Sequence, residues 1–256
     1  MLLETSFDAW QFPNHPEWAA AIVIFAVGYL WATRVFHVPG RRRACFLAGL
    51  AVLAAGLLSP IEHVAIESML SFHLLQNVML ADWAPPLLIL GFTAAMAAAS
   101  ERHRWVRVVT HPGFALTYWL AVWYVVHVPA VYDYALENRW ALGVEHLLFI
   151  SAGLAFWWPV IVPGRMAPTP KLVYLAVAFF VAAPVAAFIA LATSPLYPYY
   201  DGTPHLFGQT PLEDQQIGGM LMAVEQSILL FVAFTWTFFA MLRDDERAPE
   251  TLGAPS

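Results

Sequence analysis

Four ionisable side chains sit where an apolar chain has little use for them: His73, His127, His146 and Asp214 each fall near one end of a long hydrophobic run. Ionisable groups in such runs are costly and face a bundle interior or water, which makes them candidate site residues. Met69, His73 and Asn77 recur at spacing four, so they share one helix face over two turns. Thioether and imidazole donors together favour copper, above all Cu(I), over hard cations that prefer oxygen. A set of His73, His127 and His146 suits copper or zinc by ligand type, and Met69 tilts the choice toward copper as an auxiliary soft ligand. Asp214 fits either as a ligand or as the partner that fixes an imidazole tautomer. A second reading stays open beside this one. Each histidine could be a hydrogen-bonded contact between helices, and Met69, Met220 and Met222 could be gap-fillers in an apolar core.

Two further carboxylates lie deeper in their runs, Asp82 in LADWAPP and Glu225 in AVEQS. They could form a proton or metal relay of a transporter, or pair with Gln76 and Gln226 as ordinary interhelix contacts. Pro85 and Pro86 remove two backbone donors and predict a kink next to Asp82. His63, Glu67, Asp133, Glu145, His205 and Glu213 read as residues of adjoining loops or helix ends. Trp157, Trp158, Tyr197, Tyr199 and Tyr200 read most simply as anchors at a membrane interface. No hydrolase, zincin, nucleotide-loop or covalent haem motif is present. Non-covalent haem between facing histidines remains open, because axial ligation needs only suitable imidazoles.

The elements that must hold these residues are legible in the composition. The chain has 256 residues, 60% apolar and 12% charged, against about 25% charged in soluble domains. A helix needs about 20 mostly apolar residues to cross a bilayer. Seven stretches qualify: 17–36, 43–60, 66–91, 113–130, 143–163, 171–193 and 214–241. These runs are apolar on every face rather than alternating, so the expectation is an all-α bundle of seven transmembrane helices in one domain, 1–243, with a loose polar tail at 244–256. If the N-terminus is outside, every Lys and Arg except Arg139 falls in an inside segment, which predicts an outer N-terminus and a cytoplasmic C-terminus. His73, His127, His146 and Asp214 then gather toward the outer face. The basic stretch 93–110 suits an amphipathic helix along the inner surface. The proline-rich segment 194–213 suits an outer lid. A net charge of -6 argues against a nucleic-acid partner, and Cys45, the single cysteine, excludes a thiolate cluster within one chain.

Four segments taken in order, SFHLLQNVMLADWAPPLLILG (71–91), VVHVPAVYDYALENRWALGVEHLLFISAGLAFWWPVI (125–161), SPLYPYY (194–200) and PLEDQQIGGMLM (211–222), resemble the multi-span CtaG-like family of cytochrome c oxidase assembly proteins. The resemblance implies a non-enzymatic membrane assembly factor of the bacterial inner membrane. It would deliver copper, taken from a periplasmic donor, to a subunit of a haem–copper oxidase. By position it carries the family's histidines onto His73, His127 and His146 and its aspartate onto Asp214. The chain departs from the family pattern at Asn77, where a second histidine is usual, and at Ala223, where a tryptophan is common.

Overall fold

The computed structural model describes residues 7–252, with side chains through residue 243, and among these it holds helices and no strand. The helices are α1 (Pro16–Phe36), α2 (Gly40–Leu58), α3 (Pro60–Glu67), α4 (Leu70–Val78), α5 (Ala84–Leu90), α6 (Ala94–Ser100), α7 (Arg104–Val109), α8 (Pro112–Val126), α9 (Pro129–Glu137), α10 (Arg139–Ile161), α11 (Pro168–Leu191) and α12 (Pro211–Leu252). α1, α3, α8, α9, α11 and α12 each open on a proline. That residue has no N–H to lose in the first turn and its fixed φ is already helical. Proline thus punctuates a chain whose apolar runs alone do not say where helices stop.

α1, α10, α11 and α12 are each long and apolar enough to cross a membrane, and three bent pairs bring the count to as many as seven. α2 and α3 bend by 41° at Ser59, whose hydroxyl accepts from the Ile61 N–H at 3.1 Å. Across the expected span 113–130, α8 ends at Val126 and α9 diverges from it by 77°. Pro129 cannot donate to the preceding turn, and Val128 before it is held extended at φ -65, ψ 123. The expected helix over 93–110 is two short ones, α6 and α7. α6 is capped by the Thr93 hydroxyl, which accepts from the Met96 N–H at 3.2 Å, and turns 113° from the α4–α5 span. The tail expected to be loose from residue 244 is instead helical through Leu252.

The span built from α4 and α5 changes its helical winding at Asp82, next to the two prolines. Met79–Trp83 forms one π-helical turn in which the Ala84 N–H reaches back to the Met79 carbonyl. Pro85 and Pro86 follow in the first turn of α5, leaving the carbonyls of Ala81 and Asp82 without their usual donors. The central helix α10 packs on this gap. A Cβ on Gly153 would stand 2.1 Å from the Ala81 oxygen and 2.7 Å from Pro85 Cγ, so only glycine lets the two backbones meet. Gly218 and Gly219 do the same for α12, where a Cβ would meet Leu74 at 2.7 Å and the Ala190 nitrogen at 2.5 Å.

Candidate functional site

The starts of α4, α10 and α12 and the end of α8 converge at one end of the bundle, and the segment between α11 and α12 folds into that end. This segment, expected as a lid, is a plug. Its 3-10 turn, Pro198–Gly202, carries Tyr200 inward, and Tyr197 and Tyr200 are each only 2% exposed. Thr203 and Ser68 tie it down by reciprocal bonds, Thr203 Oγ1 to the Ser68 carbonyl at 2.8 Å and Ser68 Oγ to the Pro204 carbonyl at 2.5 Å. The reading of Tyr197, Tyr200, Trp157 and Trp158 as interface anchors is therefore corrected, since all four are buried in the core.

His73 lies at the centre, with no exposed surface. The Tyr200 hydroxyl donates to the Ala65 carbonyl at 2.6 Å, which commits its proton, so at 3.2 Å it accepts from His73 Nδ1–H. Burial pushes the Tyr200 phenol well above its ordinary value, with Tyr199 and Glu145 adding to the effect, and the hydroxyl keeps that proton. A neutral His73 is thereby fixed with its lone pair on Nε2. Nε2 has no hydrogen-bond partner among the described residues and faces Glu145 Oε1 at 3.6 Å. The same oxygen accepts from Asn77 Nδ2 at 3.4 Å. A lone pair facing a carboxylate oxygen in a dry site is satisfied by one proton or one cation between them.

His146 completes the pair of imidazoles. It is buried, neither ring nitrogen has a partner among the described residues, and its ring centroid lies 6.3 Å from that of His73. His127 sits at the proline-enforced end of α8, where its Nδ1–H caps the freed Trp123 carbonyl at 2.6 Å and the His127 carbonyl accepts from the Tyr197 hydroxyl at 3.1 Å. Tyr132 is the common neighbour, with its ring 4.9 Å from that of His73 and 6.2 Å from that of His127. The structure thus gathers His73, His146 and His127 into one nest, the first two as direct neighbours.

Asp214 and Met69 stand differently. The Asp214 carboxylate accepts from the Ser71 hydroxyl and, at 3.4 Å, from the Ser71 N–H. It therefore holds the start of α12 to the start of α4 and touches no imidazole. Met69 is buried at the N-cap of α4. Met220 faces outward, whereas Met222 is buried. Among the described residues, no three His, Cys, Asp or Glu side chains already surround one point as a metal cage would.

Glu145 was read from the sequence as a helix-end residue, and Glu62 and His15 gave no signal. All three prove to be buried or partly buried polar groups at this end. Glu62 accepts from the Gln76 amide, which also donates to the Gly56 carbonyl at 2.9 Å. Gln76 is thus not the partner of a deep carboxylate. Asp82 is buried in the π-helical turn with one oxygen unpartnered. Its chain neighbour Trp83 donates from Nε1 to Glu225 Oε1 at 2.7 Å, joining the turn to α12.

These features define a multi-pass helical membrane protein that encloses a dry imidazole–carboxylate site at one end. The chain matches the model of the cytochrome c oxidase caa3 assembly factor family, Caa3_CtaG, over residues 24–244 and belongs to that family. No curated protein and no solved structure matches it.

Proposed function

We propose that this assembly factor handles copper as cargo, holding Cu(I) between His73 Nε2 and Glu145 Oε1 with His146 beside them, and passing it to a haem–copper oxidase subunit docked in the bacterial inner membrane. The observation that carries this is the unshared pair facing a carboxylate, 3.6 Å apart and sealed from solvent. Two donors bonded to one ion at about 2.0–2.1 Å stand about 3.6 Å apart when their angle is near 120°. Imidazole suits copper, and few ligands suit a cargo that must leave. In this reading His127 and Tyr132 shape the nest, Met69 is an auxiliary soft donor, and Asp214 positions the helices instead of ligating. A periplasmic copper donor would supply the site if the N-terminus is outside, as the placement of arginines predicts.

Anaerobic titration with Cu(I) against a chromophoric competitor tests the assignment. One equivalent is expected for the unaltered protein, with strong loss in His73→Ala and Glu145→Gln and little change in Asp214→Asn. Full stoichiometry and affinity in both His73→Ala and Glu145→Gln would eliminate the site.

A further inference from the structure

A cleft of about 840 Å³ opens between the starts of α1, α3 and α10, lined by His15, Glu17, Trp18, Glu62, Arg139 and His146 among others. Polar donors run inward through it in short steps. Glu17 is half-exposed at the mouth, and its Oε1 lies 3.4 Å from His15 Nδ1. His15 Nε2 lies 3.4 Å from Glu62 Oε1, on a carboxyl that is 1% exposed. His146 lines the inner wall, with two ring nitrogens unpartnered among the described residues and with the His73 ring next to it.

Arg139 closes the outer step. Its NH2 donates to Glu17 Oε1 at 3.0 Å, to the Asn14 carbonyl at 3.3 Å and to His15 Nδ1 at 3.4 Å. A guanidinium has no lone pair, so His15 accepts at Nδ1 and turns its Nε2–H to Glu62. The mouth groups are thus occupied by a fixed cation, whereas both ring nitrogens of His146 have no partner among the described residues. α1 supplies one wall, with Trp18 and Ile22 packed against the core beside the cleft.

We propose that this cleft is the portal through which a soft monovalent cation reaches and leaves the His73–Glu145 pocket. His15, Glu62 and His146 would be successive transfer donors, and the Arg139–Glu17 pair the latch. The inference rests on the copper reading above and extends it to the route. His15 and Glu17 precede the segment matched by the family, whereas Glu62, Arg139 and His146 lie within it. The imidazoles of His15 and His146 favour a borderline or soft cation such as copper, and the carboxylates between them supply the compensating negative charge.

The test uses the full chain in detergent, with Cu(I) supplied anaerobically as a coloured bicinchoninate complex and uptake followed by loss of its absorbance. His15→Ala and Glu62→Gln are expected to load about tenfold more slowly to the same end point, and Arg139→Gln to load faster. Equal rates in all three, with full uptake, would overturn the portal and leave the pocket standing. No uptake by the unaltered protein would overturn both. Access is read independently by labelling. A Cβ on Gly143, which lines the cleft, meets nothing within 4 Å. Gly143→Cys in a Cys45→Ser background is therefore expected to react with a water-soluble thiol reagent, faster when Arg139→Gln is added and slower when Cu(I) is bound. A thiol that stays unreactive in every background would overturn the portal.

Discussion

Replacing Gly153 by alanine sets two effects of opposite sign against each other on one helix. Helix propensity alone makes Gly→Ala stabilising by about 0.5–1 kcal/mol. Against this, the new Cβ would stand 2.1 Å from the Ala81 carbonyl oxygen, more than 1 Å short of ordinary contact at about 3.5 Å. The obstacle is backbone and cannot rotate away, so the cost belongs at the upper part of the roughly 1–3 kcal/mol seen for overpacking. The clash wins, with a net loss of about 2 kcal/mol. Gly143 on the same helix has nothing within 4 Å of its virtual Cβ, so Gly143→Ala should stabilise by the propensity difference. Gly153 and His146 are seven residues apart on one face, about 10 Å along the axis, so displacing α10 should also weaken Cu(I) uptake. Thermal unfolding of both variants in one detergent, with Cu(I) titration of each, reads these outcomes. A Gly153→Ala protein as stable as the Gly143→Ala protein would refute the claim that α10 is seated on the carbonyl freed by Pro85.

Tyr200→Phe removes the acceptor of His73 Nδ1–H and the donor to Ala65. It is expected to destabilise by about 1–3 kcal/mol, measured by thermal melting. Because burial holds the Tyr200 phenol well above its ordinary value, the unfolded chain gives up a proton near pH 10 that the folded chain keeps. Stability should therefore fall as pH rises above about 10, with a shallower fall in Tyr200→Phe. Asn77→His sets an imidazole beside Glu145, whose Oε1 is 3.4 Å from Asn77 Nδ2. Cu(I) affinity should rise about tenfold or more, worth about 1.4 kcal/mol, and an unchanged value in competition titration counts against Glu145 as a ligand. Ser71→Ala leaves the buried Asp214 carboxylate short of its hydroxyl donor and should lower the melting temperature more than it changes copper uptake.

The all-helical character was legible because apolar runs of membrane length leave few alternatives, and the irregular turn before Pro85 and Pro86 because both lack a donor. The break at Pro129 carried the same signal but lies inside an unbroken apolar run, and hydropathy cannot see a helix end there. The histidines of the nest were legible as ionisable groups in apolar runs. Their real partner was not. Near this end α10 buries Ala141, Leu142, Glu145, His146 and Phe149 on one face and exposes Trp140, Val144 and Leu147 on the other. Glu145 and His146 therefore both point inward, but the outward face is as apolar as the inward one, so hydropathy does not mark which side is buried. Asp214 looked like a member of the site by its position on α12. Gly218, one turn further on, lets that helix close onto α4, and the carboxylate is consumed by Ser71 at the contact. Tyr197 and Tyr200 read as surface anchors because a proline-rich segment rarely folds inward, and nothing local signals the bonds through Ser68 and Thr203 that hold this one.

The central claim is that His73 Nε2 and Glu145 Oε1 share one cation. X-ray absorption on protein loaded anaerobically with one equivalent of Cu(I) measures that contact directly. The expected spectrum has nitrogen and oxygen neighbours at about 2.0 Å with imidazole outer-shell scattering, and Glu145→Gln alters its first shell. A first shell dominated by sulfur at about 2.3 Å, or one unchanged in Glu145→Gln and His73→Ala, would contradict it.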